Sequence, residues 1–524
     1  MLLQIDDIRL SPDRNEEMIL HLVEEKYGIK ISSFRILNRS LDARNKNDIH
    51  WRYRIVIDIP QEDAAGVLGY YDEVKACKEA ENAIPLKTAP GEKVIIVGAG
   101  PAGLFCALRL IEAGAQVLLL ERGKPVEERM RDIELLETSG ILNPESNVLF
   151  GEGGAGTYSD GKLTTRISRP EIDWFYKKLI ENGAPESASY ESRPHIGTDR
   201  LRDIVKNIRT KIAEAGGEVL FSERVTSLLI SGSTVKGVGT ASGREYLAPH
   251  VVLASGHSAR DVYEMLGACG ISLEKKGFAV GSRIEHPAEL IRSIQYGKSR
   301  YAGILPAAEY SLTWNNKKTG RGIYSFCMCP GGSVINSSSE EGLLCTNGMS
   351  MSGRNSTLSN SAIVVTVTKD DTGPDVLSGI DFQRNIERAA FRAGGGAYRA
   401  PAQSVLSFLK NKTDRELPAV SYRNGVTPSR LEEFLPAWIT SEIRIALEYF
   451  NNRMNGFISG SGIFIGAETR TSSPVRVLRG KDLQSVSLRG LYPAGEGAGY
   501  AGGIVSSAVD GIRCADAIIS PGQK

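Results

Sequence analysis

Gly98, Gly100 and Gly103, followed by Glu121, are the residues of this 524-residue chain whose types and spacing point most directly to chemistry. Gly98 permits a tight turn. Gly100 leaves the backbone bare, so that a pyrophosphate can approach it, and Gly103 lets a helix close on a strand. Pro101 and Ala102 open that helix, whose free N–H groups and dipole suit a phosphate. Glu121, with Arg122 after it, follows about twenty residues on, where a carboxylate accepts ribose hydroxyls and repels a 2′-phosphate. A second group stands near the end of the chain: Gly495 and Glu496, then Gly502, Gly503 and Ile504 at a helix start. Glu496 suits the hydroxyls of a sugar or polyol. The paired glycines let backbone amides reach the edge of a planar ring.

Between these groups lies a glycine-rich run, residues 151–162, containing Gly154, Ala155, Gly156 and Thr157. Gly151, Gly153 and Gly156 match G-x-G-x-x-G literally, but no apolar-periodic helix follows. The run reads as a loop laid against a flat cofactor or a phosphate. Val225, and Ser255 with Gly256 at the end of a buried strand, complete the candidate binding set. Lys162, His195, Arg470 and Tyr500 are the catalytic candidates, chosen because they neighbour these motifs. Cys327 and Cys329 share a strand, and alternation places both on one face. A redox pair and soft metal ligation are open to them. The reading adopted is structural thiols, because same-face neighbours suit a disulfide poorly. No metal site is expected.

The elements that must position these residues are legible around them. Residues 94–97 and 117–120 are short apolar runs, as buried parallel strands should be. Leu104, Ala107, Leu108 and Ile111 share a helical face, and Gly114 offers a stop. Residues 126–138 read as a charged helix. A further helix runs from about residue 200, with Thr198 as its N-cap. Residues 218–222, 225–231, 234–240 and 244–248 read as short strands, and 251–256 as another buried strand. Residues 324–329 read as the strand bearing the two cysteines. Helices are expected over 381–394, 402–410 and 429–450. The first 60 residues form a βαββ pattern with arginines at 35, 39, 44, 52 and 54, a solvated face or, less favoured, an RNA-binding one. Residues 61–90 read as a helix and linker.

The formal net charge of +1 gives no global pull toward nucleic acid or an anionic membrane. Seven scattered cysteines indicate a reducing compartment, and Asp6, Asp7 and Arg9 interrupt any signal-like apolar start, so a cytoplasmic location is expected. No run approaches the roughly 18 apolar residues of a membrane span.

Strand–glycine–helix–strand–acid at one end, with strand–Gly-Glu–Gly-Gly–helix at the other, is the two-part pattern of an FAD fold. The chain resembles the glutathione-reductase-type FAD superfamily and, more closely, a bacterial family of uncharacterised FAD-dependent dehydrogenases. The resemblance rests on residues 98–103, 150–163, 193–201, 284–287, 326–332, 468–476 and 492–506. Ser255 departs from it, where threonine is usual. The expected fold is therefore α/β, a Rossmann-type FAD-binding domain with an α+β cap or substrate domain and a small N-terminal βαββ domain. The expected boundaries are 1–60, a helix and linker over 61–90, FAD-binding segments 91–275 and 480–524, and a cap over 276–479. The expected function is an oxidoreductase moving a hydride or electron pair through noncovalent FAD to or from a small molecule. No second Rossmann unit is evident, so NAD(P)H would dock transiently or another donor would serve. The alternatives are a flavin-dependent RNA-modifying or RNA-binding protein and a flavin-binding scaffold without turnover.

Overall fold

The computed structural model describes residues 1–78, 88–89, 91–165 and 167–520. Its central sheet has five parallel strands in the order Leu491–Pro493, His250–Leu253, Lys93–Val97, Gln116–Leu120, Glu218–Leu220. Ile95, Val97, Leu118, Leu120, Val251 and Leu253 enter a core on one face. Val94, Ile96, Val117, Leu119 and Val252 enter a second core on the other. Burial on both faces is why these strands read as unbroken apolar runs. Each such side chain contributes about 1.5–3 kcal/mol by leaving water.

Helix Pro101–Glu112 crosses from the central strand to its neighbour. Proline at its first position costs no hydrogen bond, because that N–H would have no partner in the helix. A Cβ at Gly103 would lie 1.9 Å from the Gly98 carbonyl oxygen, so only glycine allows this closure of helix on turn. The C-terminal helix Ile504–Ile519 packs beside it through Val505, Ala508, Val509 and Ile512. The close approach rests on Gly511, where a Cβ would lie 2.0 Å from the Ala102 carbonyl oxygen. Successive connections leave the central strand in opposite directions, and a crevice opens beyond the strand ends between Val97 and Leu253, the usual ligand position in such sheets.

The chain leaves this region along Leu273–Lys275 and returns along Val475–Val477, and the two segments pair antiparallel. Between them runs a seven-stranded sheet, ordered Thr313–Asn315, Gly322–Cys329, Leu358–Val367, Phe278–Pro287, Ile463–Glu468, Ala400–Ser404, Val426–Pro428. Ile284, Ile363, Val365 and Phe464 fill one face against helices that include Ala437–Arg453. Ala279, Ala362 and Val364, with Tyr324 and Phe326, form a smaller cluster.

Several elements differ from the sequence expectation. Among the described residues of 61–90 the helix is Gln61–Ala65, and Val74–Ala76 is a fourth strand beside Leu2–Leu10. Val67 and Val74 are buried in that sheet's core, which outweighs the helix preference of the Ala, Glu and Lys residues around them. Residues 79–87 and Pro90 of the helix and linker expected over 61–90 lie outside the described residues. The helix expected over 402–410 shrinks to Val405–Leu409, because Ala400–Ser404 pairs into the large sheet. The one expected from 429 begins only at Ala437, after Pro436. Helix Thr198–Glu214 is preceded by Gly197, and the Thr198 hydroxyl donates to the Ser159 carbonyl rather than capping. Four of the five N-terminal arginines carry acidic partners: Arg39 with Glu16 and Glu191, Arg44 with Asp42, Arg52 with Asp7, Arg54 with Asp6. This face is charge-balanced rather than a bare cationic patch. Among the described residues no helix is long and apolar enough to cross a membrane.

Candidate functional site

The crevice at the strand ends deepens into a cavity of about 390 Å³. Its wall draws on remote parts of the chain: Gly98, Gly100, Pro101 and Ala102; Glu121 and Arg122; Gly154, Ala155 and Gly156; Val225; Ser255 and Gly256; Gly495 and Glu496; Gly502, Gly503 and Ile504. Of the binding residues expected from sequence, Gly103 and Thr157 stand off the wall. Gly103 serves the helix–turn closure, and the Thr157 hydroxyl is turned to the Glu152 carbonyl.

Glu121 is only 5% exposed, and its carboxylate does more than face the cavity. The N–H of Ala99 donates to Oε2 at 2.8 Å; those of Gly123 and Gly151 donate to Oε1 at 2.9 and 3.0 Å. One side chain thus ties the first glycine turn to the second glycine-rich loop. A carboxylate offers about four acceptor positions, so one stays open for a ribose hydroxyl. Arg122 bonds Glu145 and Asp261 and lies over the Phe150 ring.

Arg129, which the sequence reading passed over, clamps the same loop from behind. Its guanidinium is fully buried and donates to the carbonyls of Asn147, Val148, Glu152 and Gly154. Burial pulls its pKa down to about 10, which leaves it charged at neutral pH. The sequence signal was weak: an arginine in an otherwise exposed-looking helix. Gly154, with φ +61°, brings its backbone against Gly100, where an added Cβ would lie 3.1 Å from the Gly100 Cα. At Gly98 an added Cβ would lie 2.5 Å from the Ala254 carbonyl oxygen.

Glu496 reaches the cavity with His257 beside it, the His257 Nδ1 standing 3.5 Å from Oε1. Burial raises Glu496 to about 7, opposed only by Lys276. Burial, reinforced by Arg470, lowers His257 to about 4, so the ring is neutral at pH 7. His257 directly follows Ser255 and Gly256, and its position after a small-residue strand end was the available signal. The Gly495 turn is held by Asp510, which accepts the Gly495 N–H at 2.8 Å and pairs with Arg479.

The four catalytic candidates separate. Lys162 is on the wall beside Asp160, and its ammonium donates to the Met328 carbonyl. Buried Asp160 accepts from Ser350 and Arg354. Burial opposes its charge, but Lys162 and Arg354 outweigh this and bring its pKa below the ordinary value. Arg470 touches the cavity, but its guanidinium is engaged by Glu387 and Ser339 in a buried cluster that also holds Arg260. His195 lies off the wall, with Nε2 at 3.1 Å from the Ser352 carbonyl oxygen. Tyr500 also lies off the wall, 38% exposed, its ring beneath Arg476 and Arg479. Sequence adjacency misleads for both because the turn at Gly499 (φ +84°) and the strand-like passage through 195 carry them past the crevice. Phe326 and Cys327 of the seven-stranded sheet, and Asn347 of strand Thr346–Met349, also line the cavity.

Residues 92–293 match the pyridine nucleotide-disulphide oxidoreductase profile. Residues 277–471 match that of the FAD-dependent protein, C-terminal domain-like family, and 2–58 that of a domain of unknown function. An uncharacterised protein of Clostridium beijerinckii is 42% identical over 528 residues, covering 99% of both chains. The 6-methylpretetramide 4-monooxygenase of Streptomyces rimosus is 31% identical over 31% of this chain and 38% of its own. The structure of CtdE in complex with FAD covers 82% of this chain and 84% of its own at 12% identity, with a TM-score of 0.32.

Proposed function

The chain belongs to a family of uncharacterised FAD-dependent proteins and is an FAD-dependent oxidoreductase, and on that premise we propose how its cavity is used. FAD lies along the wall, with its adenosine ribose at Glu121, its pyrophosphate at the Gly98–Ala102 turn and the Gly154–Gly156 loop, and its ring toward Lys162, Asn347 and Gly502–Ile504. The observation that carries this reading is the convergence of six separate glycine- and acid-bearing stretches on one cavity. The backbone cradle at Gly98, Gly100 and Gly154 fits a pyrophosphate, and Glu496, whose neighbour His257 is neutral, offers a carboxyl suited to polyol hydroxyls. The FAD region then comprises residues 91–275 and 480–524, in the glutathione-reductase-like arrangement. Residues 276–479 act as the cap and hold the substrate, a small molecule, against the ring.

Bound FAD supplies the two-electron chemistry. The protein's residues orient and charge the site around it. Helix Ile504–Ile519 begins on the cavity wall just after Gly502 and Gly503, so its positive dipole end lies at the cavity. This end stabilises negative charge developing on a ring edge. Lys162, held by Asp160, places a positive charge at the same end. Glu121 leaves little place for a 2′-phosphate in the adenosine pocket. A pyridine nucleotide or another donor docks from outside rather than in a domain of its own.

Acid precipitation of the purified protein, followed by chromatography, tests the binding reading. FAD should appear in the supernatant at about one per chain; flavin absent, or kept in the pellet, would refute noncovalent binding. Anaerobic stopped-flow mixing with NADH and with NADPH then identifies the donor.

A further inference from the structure

The strand Gly322–Cys329 does not alternate through its two cysteines. Phe326 pairs with Ala362, yet Cys329 pairs with Asn360, so three steps on one strand oppose two on the other. The extra residue is a β-bulge, and Cys327 sits in it with φ +44°, a conformation a non-glycine residue holds only when its surroundings impose it. The bulge turns Cys327 into the cavity wall between Phe326 and Lys162, while Cys329 stays behind it, fully buried. In a regular strand the two side chains would stand too far apart for sulfur to meet sulfur. Here the Cys329 thiol donates to the Cys327 carbonyl at 3.3 Å. Arg283 binds both residues, donating to the Cys327 carbonyl at 2.8 Å and approaching the Cys329 Sγ at 3.6 Å. Arg283 is itself held by Glu468.

We propose that Cys327 and Cys329 form a redox-active dithiol in the wall of the FAD cavity, closing reversibly to a disulfide and exchanging an electron pair with the flavin, which makes a disulfide or dithiol the chemical class of the second substrate. This replaces the structural reading of the pair, whose premise was unbroken alternation. The environment favours one attacking sulfur. Hydrogen bonding to Cys329 lowers the Cys327 pKa, against burial and assisted by Arg283 and Lys162. The same bond, with burial, raises Cys329. A thiolate at the cavity and a protonated partner behind it is the arrangement thiol–disulfide exchange needs.

The step balances. Closing the pair breaks two S–H bonds and forms one S–S bond. Two electrons and one proton go to oxidised flavin, and the second proton goes to solvent. The reverse returns an electron pair from reduced flavin to the disulfide, opening it to two thiols. A substrate disulfide is reduced by attack of the Cys327 thiolate on one of its sulfurs; one substrate thiol leaves, and Cys329 displaces the other as the internal disulfide forms.

This inference rests on the cavity being the FAD site, and two readouts on the holoprotein keep the two ideas apart. The protein is oxidised with oxidised glutathione, freed of it, and titrated anaerobically with dithionite. Wild type should take up four electrons per FAD; Cys327→Ser and Cys329→Ser should take up two, with FAD fully bleached in all three. After the same oxidation, denaturing alkylation and tandem mass spectrometry of the 322–354 peptide should find label on Cys345 and none on Cys327 or Cys329. Uptake of two electrons by oxidised wild type, with FAD fully reduced, overturns the proposal while leaving the FAD reading intact. Alkylation of both cysteines after oxidation overturns it equally. If FAD is absent, the peptide readout still decides whether the pair closes.

Discussion

Replacing Glu121 by glutamine should loosen the glycine loops before it touches any ligand. The carboxylate accepts three backbone N–H groups, from Ala99, Gly123 and Gly151, at 2.8–3.0 Å in a side chain 5% exposed. Bonds to a charged acceptor contribute about 1.5–3 kcal/mol each, and a buried donor left unpaired costs about 1–3 kcal/mol. Glutamine keeps one acceptor oxygen and turns an NH₂ toward at least one of these donors. The expected loss in Glu121→Gln is about 2 kcal/mol. In Glu121→Ala, where all three amides lose their partner, it is about 4 kcal/mol, short of the simple sum because such losses are not additive. At about 1.4 kcal/mol per tenfold, amide exchange in the FAD-free protein should speed by about thirtyfold in the first variant and by several hundredfold in the second. Hydrogen–deuterium exchange by mass spectrometry on peptides spanning 98–104, 121–125 and 148–154 reads this directly. FAD affinity is measured separately and should also fall, because one acceptor position faces the ribose. Unchanged exchange in FAD-free Glu121→Ala, with affinity alone reduced, would refute the reasoning: Glu121 would then be a ligand contact and not the tie between loops.

Glu496, raised to about 7 by burial, keeps its proton in the folded protein after the unfolded chain has lost its own near 4.5. Its stability contribution is therefore complete below about pH 4.5 and lost as pH rises to about 7. FAD-free Glu496→Gln should match wild type at pH 4.5 and exceed it by about 1–2 kcal/mol at pH 8, a range reduced for the water that reaches this partly open side chain; denaturant midpoints at the two pH values check it. Arg470→Met should destabilise the FAD-free protein by about 3–5 kcal/mol, because it leaves buried Glu387 with Arg260 and the Thr469 hydroxyl but without its second guanidinium. Full stability with lost turnover would instead make Arg470 a catalytic group. Gly502→Val should lower the two-electron midpoint potential by about 20–40 mV, the equivalent of about 1–2 kcal/mol at a helix N-terminus. A Cβ at Gly502 meets no atom within 4 Å, so the change acts on the cavity alone, whereas Gly503 at φ +156° would add backbone strain. An unchanged potential in fully loaded Gly502→Val would reduce this helix to a packing element.

Much of this protein was readable from contiguous residues. The turn at Gly98, the helix from Pro101, the carboxylate at Glu121 and the glycine pair before Ile504 each depend on backbone geometry and burial within a few residues. Short-range constraints of that kind are written in local order, so the parallel strands, the two-part FAD pattern and most of the cavity wall followed from it. What the tertiary structure decided lies where distant segments meet. Val74–Ala76 became a strand because Leu3 and Ile5 offered it an edge. Arg470 is not a free cation because Glu387, from helix Ser378–Ala393, lies against it. Arg129 acquired its role because four carbonyls of one loop converge on it. Cys327 reached the cavity because the register against Leu358–Val367 slips by one residue. Local alternation carries no record of a register set by a partner strand some thirty residues away, and that slip changes the chemistry assigned to this pair of thiols.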